Sequence, residues 1–582
     1  MADLRRHGLE QALLSLGLFL LNILFFTMIL ASVLFMAGIP VTVFHLPAAI
    51  LAAAAVSFFF QKRSWKGFAV TVIAGLLIFA LCLALAGYVD DWSWDGNSYH
   101  KGITGALCWG WNPLRESFYD FADGCGFLHH CTDTWYDAYP KASEIFAACV
   151  HIVTGNIEAG KSFTLLSMAS LFFLSWGMLS QTGFFRQWQL VICAALLVLN
   201  PVSVSQIFTF YNDGFLANML LLCLIGLLYL TFYPRGELTG LAGYFIFTGI
   251  SIGFNIKFSA TLFFAILCLT FFGYWAVQEF QRRCFRDCVR ALRGRFFLLA
   301  ASVLSGVLVL GSNAYVTNTI RYHNPVYTMI GEGSTEIITS QLPTVYQPMG
   351  HLTRFVASFF SRTNDSLYIP AVEWKLPFTV SASEIVASYA CDVRIGGWGV
   401  LFSGIFLVSA AVLVLALAKC RRRHRRVFTV SVLLSVMLAV CVPVIPGLCW
   451  ARYFTALFLI PAAALLFLFA WWNRSGGTGR LACALALAVL LCANLAPNVR
   501  MSLSLLKNSR QTWAQLAQLK ELTETQDVTV GYGGVAAFEG RVFNLYDAGI
   551  TDFTFGTIDP EDYTGTVFDR YPLYYRVGQE DG

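Results

Sequence analysis

Residues 68–113 read FAVTVIAGLLIFALCLALAGYVDDWSWDGNSYHKGITGALCWGWNP. The run up to Tyr88 contains no charged residue, and about 20 apolar residues suffice to cross a bilayer core as a helix. Past Tyr88 the chain changes character within two residues. Asp90, Asp91 and Asp95 are interleaved with Trp92, Trp94 and Tyr99 and followed by His100. Acids and flat rings crowded at the end of an apolar helix suggest a site at the membrane surface. The rest of the chain reads as a scaffold for that loop.

The composition supports this reading. The 582 residues are 57% hydrophobic and 13% charged, with a mean hydropathy of +0.64. An ordinary soluble domain is about 25% charged. About thirteen apolar runs are long enough to consider as spans: 11–37, 42–60, 68–88, 162–180, 189–208, 215–233, 240–255, 258–277, 296–316, 397–418, 427–446, 454–472 and 480–497. The first follows Arg5 and Arg6. Its length and the lack of a small-residue cleavage site argue for an anchor rather than a signal peptide.

Basic clusters recur between runs at Lys62–Lys66, Arg186, Arg235, Arg282–Arg295, Lys419–Arg426, Arg474 and Arg480. If all thirteen runs cross, every cluster falls on one side. The positive-inside rule makes that side, and the N-terminus, cytoplasmic. The net charge of +5 is spent on these clusters, so nucleic acid is not an expected partner.

The fold class expected is an all-α polytopic membrane protein with large outer loops and a small α/β C-terminal domain. The division is an N-terminal hairpin (1–67), a membrane domain (68–498) with outer loops 89–160 and 317–396, and a C-terminal domain (499–582). At the end of the first loop (Tyr136 to Gly155), the apolar spacing after Pro140, from Ile145 to Val153, is helical, with Ser143 and Glu144 as a start, and reads as an amphipathic helix in the interface plane. In the tail, 502–525 reads as an amphipathic helix. DVTVGYGG, GRVFNLYD and PLYYRVG read as strands. The cysteines inside apolar runs are small buried residues. Cys125 and Cys131 could pair on an oxidising face. No phosphate-loop motif is present; GNIEAGKS (155–162) has the wrong spacing.

The outer segments carry residues suited to glycosyl transfer. That reaction needs a base for an acceptor hydroxyl and cations for a leaving phosphate. Asp95 is the first candidate base and Asp91 the second. Asp90 reads as the solvated end of a helix. A divalent metal held by Asp91, Asp95 and His100, or by His129, His130 and Asp133, is an alternative use of the same groups. Charges at the ends of apolar runs are costly enough to imply a role or a partner. These are Asp213 in FYNDGF, Lys257 in NIKFSA and Arg452 in CWARYF, with Arg321 in RYHNPVY comparable.

WDGNSYH after an apolar helix, a following YPK…E segment, the NDG, the polar break at Lys257, NPVY and ARYF occur in an order that resembles the GT-C membrane glycosyltransferases. Most similar is the bacterial group related to protein O-mannosyltransferases and aminoarabinose transferases. The resemblance spans about 68–470. It departs in having Asp90-Asp91 and then Asp95 where an Asp-Glu pair is usual, and in two extra spans before the loop.

It implies an inverting enzyme of the cell inner membrane. A sugar would pass from a polyprenyl-phosphate donor to a glycan, lipid or protein acceptor at the outer face. It implies Asp95, or Asp91, as the catalytic acid. Trp94, Tyr99, His100, Tyr139, Glu144, Asp213, Lys257, Arg321, Arg452 and Tyr453 would contact substrates. The competing readings are a polysaccharide ligase or polymerase, a lipid-linked glycan flippase, and a non-catalytic binding protein. A flippase predicts charges deep in several spans, whereas here they sit at outer ends.

Overall fold

The computed structural model describes residues 2–61, 64–125, 133–331, 341–420, 425–445, 447–532, 540–559 and 561–578. His129, His130 and Cys131 lie outside these residues, as do several of the basic positions (Lys62, Arg63 and 421–424).

Each of the thirteen apolar runs falls on helix. Among the described residues, eight helices are long and apolar enough to cross a membrane. In order, the first helices are α1 (Ala2–Met36), α2 (His45–Phe60) and α3 (Trp65–Tyr88). The segment between α3 and α8, the first of the loops expected outside, carries α4 (Lys101–Cys108), α5 (Phe118–Cys125), α6 (Asp133–Ala138) and α7 (Ala142–Thr154). The bundle resumes with α8 (Phe163–Ser180), α9 (Gln187–Val198), α10 (Pro201–Ser205), α11 (Asp213–Phe232), α12 (Thr239–Phe254), α13 (Phe258–Phe280) and α14 (Phe285–Ser305). The second outer segment holds α15 (Tyr315–Tyr322), α16 (His351–Phe359) and α17 (Ala382–Ala387). Then come α18 (Phe402–Cys420), α19 (Arg425–Val444), α20 (Leu459–Ser475) and α21 (Thr478–Thr523).

α1 is more than an anchor. Phe19, Leu20, Leu21, Ile23 and Leu24 are wholly buried, because α1 packs along α2, α3 and α8. The run 189–208 is not one helix. Pro201 cannot donate to the ladder of α9, and the Asn200 side chain accepts from Ser203 N at 2.9 Å to start α10. The run 480–497 and the amphipathic stretch 502–525 are a single helix, α21, of 46 residues. At about 1.5 Å per residue this is about 70 Å, twice what a bilayer core needs, so α21 continues far past the apolar bundle.

The two ends of the bundle differ in chemistry. At one end Arg186 lies over Trp472 at 4.6 Å, Arg474 over Phe184 at 4.3 Å, and Arg426 donates to Tyr233 Oη at 2.6 Å. At the other end the starts of α11 and α13 and the approach to α20 meet the loop after α3.

The tail is built on α21. Its sheet has the order β2-β1-β4-β3, with β1 Val528–Tyr532, β2 Thr554–Thr557, β3 Gly565–Val567 and β4 Leu573–Val577. β1 pairs parallel with β2 and antiparallel with β4. GRVFNLYD is not a strand but a helix, α22 (Gly540–Asp547). It is inserted into the first outer loop, so the tail is not free-standing. Arg541, wholly buried, pairs with Asp90 under the Phe568 ring at 4.0 Å. Asp90 is therefore a buried partner and not a solvated helix end. Asn544 joins a buried knot of Lys101, Glu158 and Lys161. This knot occupies the GNIEAGKS stretch, now a buried 3-10 turn (Ile157–Ser162).

α7 is buried on all sides from Ala142 to Val150, which corrects the expectation of a helix lying in the membrane interface. Near its C-terminus, His151 Nε2 donates to Asp547 Oδ1 at 2.7 Å. Burial alone would lower the imidazole pKa. The bond to Asp547 and the neighbouring Cys108 outweigh it and raise the value to about 10. A folded pKa above the unfolded value stabilises docking fully below the unfolded pKa, about 6.5. That contribution fades as pH rises through about 10. Hydrogen exchange across α22, corrected for intrinsic rate, should therefore accelerate between pH 7 and 10. His151→Gln should flatten the profile.

Gly105 is the close-approach point between α4 and α22. A Cβ there would lie 2.0 Å from Phe543 Cζ. Gly105→Ala gains up to about 1 kcal/mol of helix propensity, but overpacking costs about 1–3 kcal/mol. The expected result is a lower melting temperature with selective loss of protection in α22, read by hydrogen exchange.

Candidate functional site

The site forms where four apolar runs end. Asp91 sets its geometry. It is wholly buried, and its carboxylate accepts from Ser93 N at 2.8 Å and from Phe210 N at 3.0 Å. The loop is thereby tied to the turn before α11. Ser93 Oγ accepts from Gly96 N at 3.2 Å. Asn97 Nδ2 donates to the carbonyls of Asp91 and Ser93, both at 2.8 Å. The chain enters a one-turn π-helix (Gly96–His100), a wide turn often found at functional sites. Asp95 caps this turn and is left pointing out of it.

Arg452, on a 3-10 turn (Ala451–Tyr453), is boxed by three carboxylates. Nη2 meets Asp95 Oδ2 at 3.2 Å, Nη1 meets Asp392 Oδ1 at 3.2 Å and Nε meets Asp213 Oδ2 at 3.4 Å. Burial would lower the guanidinium pKa; Asp392, Tyr453, Asp213 and Asp95 raise it well above the usual value. Tyr211, Trp450 and Tyr453 lie around it at 4.7, 5.1 and 5.3 Å. Lys257, the N-cap of α13, bonds Asp213 at 2.7 Å and lies 4.6 Å from the Tyr453 ring. Gln206 Nε2 gives Asp213 a further bond at 3.1 Å.

Exposure separates the two candidate acids. The Asp95 side chain is 21% exposed, whereas Asp91 is 0% exposed with both oxygens engaged. Only the Asp95 contact to Arg452 is aligned as a hydrogen bond. Arg452 Nε and Trp450 Nε1 are buried donors with no aligned acceptor, and Asp392 Oδ1 has no aligned donor. Such unfilled capacity is uncommon in buried groups.

One wall is aromatic. Tyr99 stacks near Trp135 at 6.3 Å, and Trp135 meets Tyr139 at 5.2 Å. Burial first, then nearby carboxylates, hold the Tyr99 and Tyr211 phenols well above their usual pKa; for Tyr139 burial is again first. Behind Tyr99, His100 Nδ1 bonds the buried Glu144, which also accepts from Ser143 Oγ at 2.9 Å. An apolar crevice runs between α11, α13, α19 and α20. Leu221, Leu224, Phe263, Leu267 and Leu459 line it, with Asn200, Asn218 and, shortly after Arg452 in the chain, Thr455 and Ala456.

Asp95, Tyr99, Tyr139, Asp213, Lys257, Arg452 and Tyr453 thus converge. Trp94 lies to one side, 46% exposed, edge-on to Tyr571 at 5.4 Å. Arg321 is engaged elsewhere: it pairs with Asp137 at 2.5 Å, which also accepts from Tyr322 Oη at 3.1 Å. Asp91, Asp95 and His100 do not form a ligand set. Each faces a different partner, and no cluster of three or more His, Cys, Asp or Glu among the described residues could hold a metal ion. The sequence reading missed Asp392, Gln206 and Tyr211. Asp392 lies in a polar segment where an acid is unremarkable. Tyr211 stands in the same FYNDGF signal as Asp213.

Compared with known proteins, the chain matches no family model and no curated sequence.

Proposed function

We propose that the protein is a GT-C-like membrane glycosyltransferase that moves a sugar from a polyprenyl-phosphate donor to a hydroxyl acceptor at the outer face. The observation that carries this reading is one juxtaposition. A carboxylate about one-fifth exposed, Asp95, sits on a buried arginine with unfilled donor capacity, and the chain just after that arginine, at Thr455 and Ala456, lines an apolar crevice. A lipid phosphate has both chemistries, an anionic head and an apolar tail.

The charges suggest how the parts cooperate. Three carboxylates face three cations: Arg452 shared by all of them, Lys257 on Asp213 and Arg394 on Asp392. An arriving phosphate must displace a carboxylate from Arg452, and Asp95 is the one with solvent to move into. Displacement frees Asp95 to take the acceptor's proton. The acceptor oxygen then bonds the anomeric carbon from the face opposite the donor. The carbon–oxygen bond to phosphate breaks with its electron pair, and polyprenyl phosphate leaves, stabilised by Arg452 and Lys257. Inversion follows from the single displacement. Thirteen crossings, with the basic end cytoplasmic and the Asp95 end outside the inner membrane, are part of this proposal.

The test is donor turnover by full-length protein in lipid nanodiscs, with a panel of polyprenyl-phosphate sugars, with and without chelator. Release of polyprenyl phosphate is expected, and the chelator arm reports any metal requirement. No turnover, together with movement of lipid-linked glycan across liposomes, would overturn the reading in favour of a flippase. Turnover only of lipid-diphosphate glycans would favour a ligase or polymerase.

A further inference from the structure

The second outer segment contains a feature that the donor site does not use. A solvent-facing hollow of about 430 Å³ lies between residues 361–373 and α17. Its size is within the range of small-ligand sites, about 300–1,000 Å³. Thr363 lines both this hollow and the narrow cleft that reaches Arg452, so the hollow borders the donor site across one residue.

Its lining is two-sided. Thr363, Asn364, Asp365, Glu373 and Ser383 offer hydroxyl, amide and carboxylate groups. Ile369, Ala371, Val386 and Ile395 supply an apolar wall. Adjacent hydroxyls of a sugar ring are both donors and acceptors, and planar amides and carboxylates match them in pairs. The C–H faces of the ring suit the apolar wall. Arg362 also lines the hollow but is held by Glu384 and Glu373, so Asp365 and Glu373 leave the lining net acidic and disfavour an anionic ligand.

The floor is rigid. Glu384 is wholly buried and accepts from Lys375 Nζ at 2.6 Å and Thr363 N at 3.1 Å. With Ser381 it also forms the capping box that starts α17. Arg362 reaches the same carboxylate at 3.4 Å. Next to Glu373, Trp374 bridges to Ser361 through the backbone and fixes the strand-like pairing of the two edges of the hollow.

We infer that this hollow binds the acceptor as a neutral saccharide, delivering its hydroxyl past Thr363 towards Asp95. The inference rests on the glycosyl-transfer reading for its role, but its binding step is measurable alone. Full-length protein in nanodiscs is mixed with neutral trisaccharides of glucose, galactose, mannose and N-acetylglucosamine, and binding is followed by saturation-transfer NMR.

Wild type should bind at least one of them. Ser383→Trp, an exposed position that fills the hollow, and Asp365→Ala, also exposed, should each weaken binding at least tenfold with melting temperature unchanged. No binding by wild type, or full binding in both variants, overturns the inference. Saccharide binding without any donor turnover would sink the transferase reading and leave the hollow's ligand standing. Donor turnover with no saccharide bound would do the reverse.

Discussion

Asp95→Asn should abolish sugar transfer while the protein folds and inserts normally. The side chain keeps its shape, and its amide oxygen still accepts from Arg452, which now lies 3.2 Å from Asp95 Oδ2. What is lost is the capacity to take a proton. General-base catalysis contributes about 10²–10⁴-fold, so turnover should fall by that factor with an unchanged melting temperature. Asp91→Asn should behave differently. Asp91 has no exposure and holds two backbone N–H groups, so its replacement should lower stability as well as rate. An Asp95→Asn protein with wild-type turnover would remove Asp95 from the chemistry.

Arg452→Ala should be the most damaging single change to stability. It leaves Asp95, Asp213 and Asp392 without their shared cation; Asp213 retains Lys257 and Asp392 retains Arg394, so Asp95 is the one left unpaired. Removing one partner of a buried ion pair costs about 3–5 kcal/mol. Arg452→Lys should recover part of the folding and little of the turnover. A point-like ammonium cannot address three carboxylates as a planar fork does. Melting temperature and donor turnover, measured on both variants in the same nanodiscs, separate the structural cost from the functional one. A stable Arg452→Ala protein with an unchanged Michaelis constant for donor would show that neither carboxylates nor phosphate depend on the guanidinium.

The helices were readable in advance because a bilayer imposes a length and a composition on each span. The charged ends were readable for the same reason. Asp213, Lys257 and Arg452 interrupt apolar runs, where an unpartnered charge is expensive, and the structure brings them to one point. Asp392 carried no such signal, since acids are ordinary in polar segments. The break at Pro201 was lost inside a run whose hydropathy stays high on both sides. α22 misled because residues 540–545 are buried all round, between the outer loop and the sheet. With no solvent face to enforce a helical period, its pattern resembled alternation. The Lys101–Glu158–Lys161 knot was hidden because its members come from two segments that read as polar surface, and Asn544 from a third.

The docking of α22 has a consequence for the order in which the molecule is made. Asp90, Lys101 and His151 are translated early, yet their partners Arg541, Asn544 and Asp547 follow 451, 443 and 396 residues later. Until α22 has been made and docks, Asp90 and His151 lack their partners, and the Lys101–Glu158–Lys161 knot lacks the Asn544 amide that completes it. The loop that bears Asp95 therefore reaches its working shape only after α22 has been made. A chain truncated before α22 would insert its helices and still lack an assembled centre, so completeness of the polypeptide is checked by the fold itself.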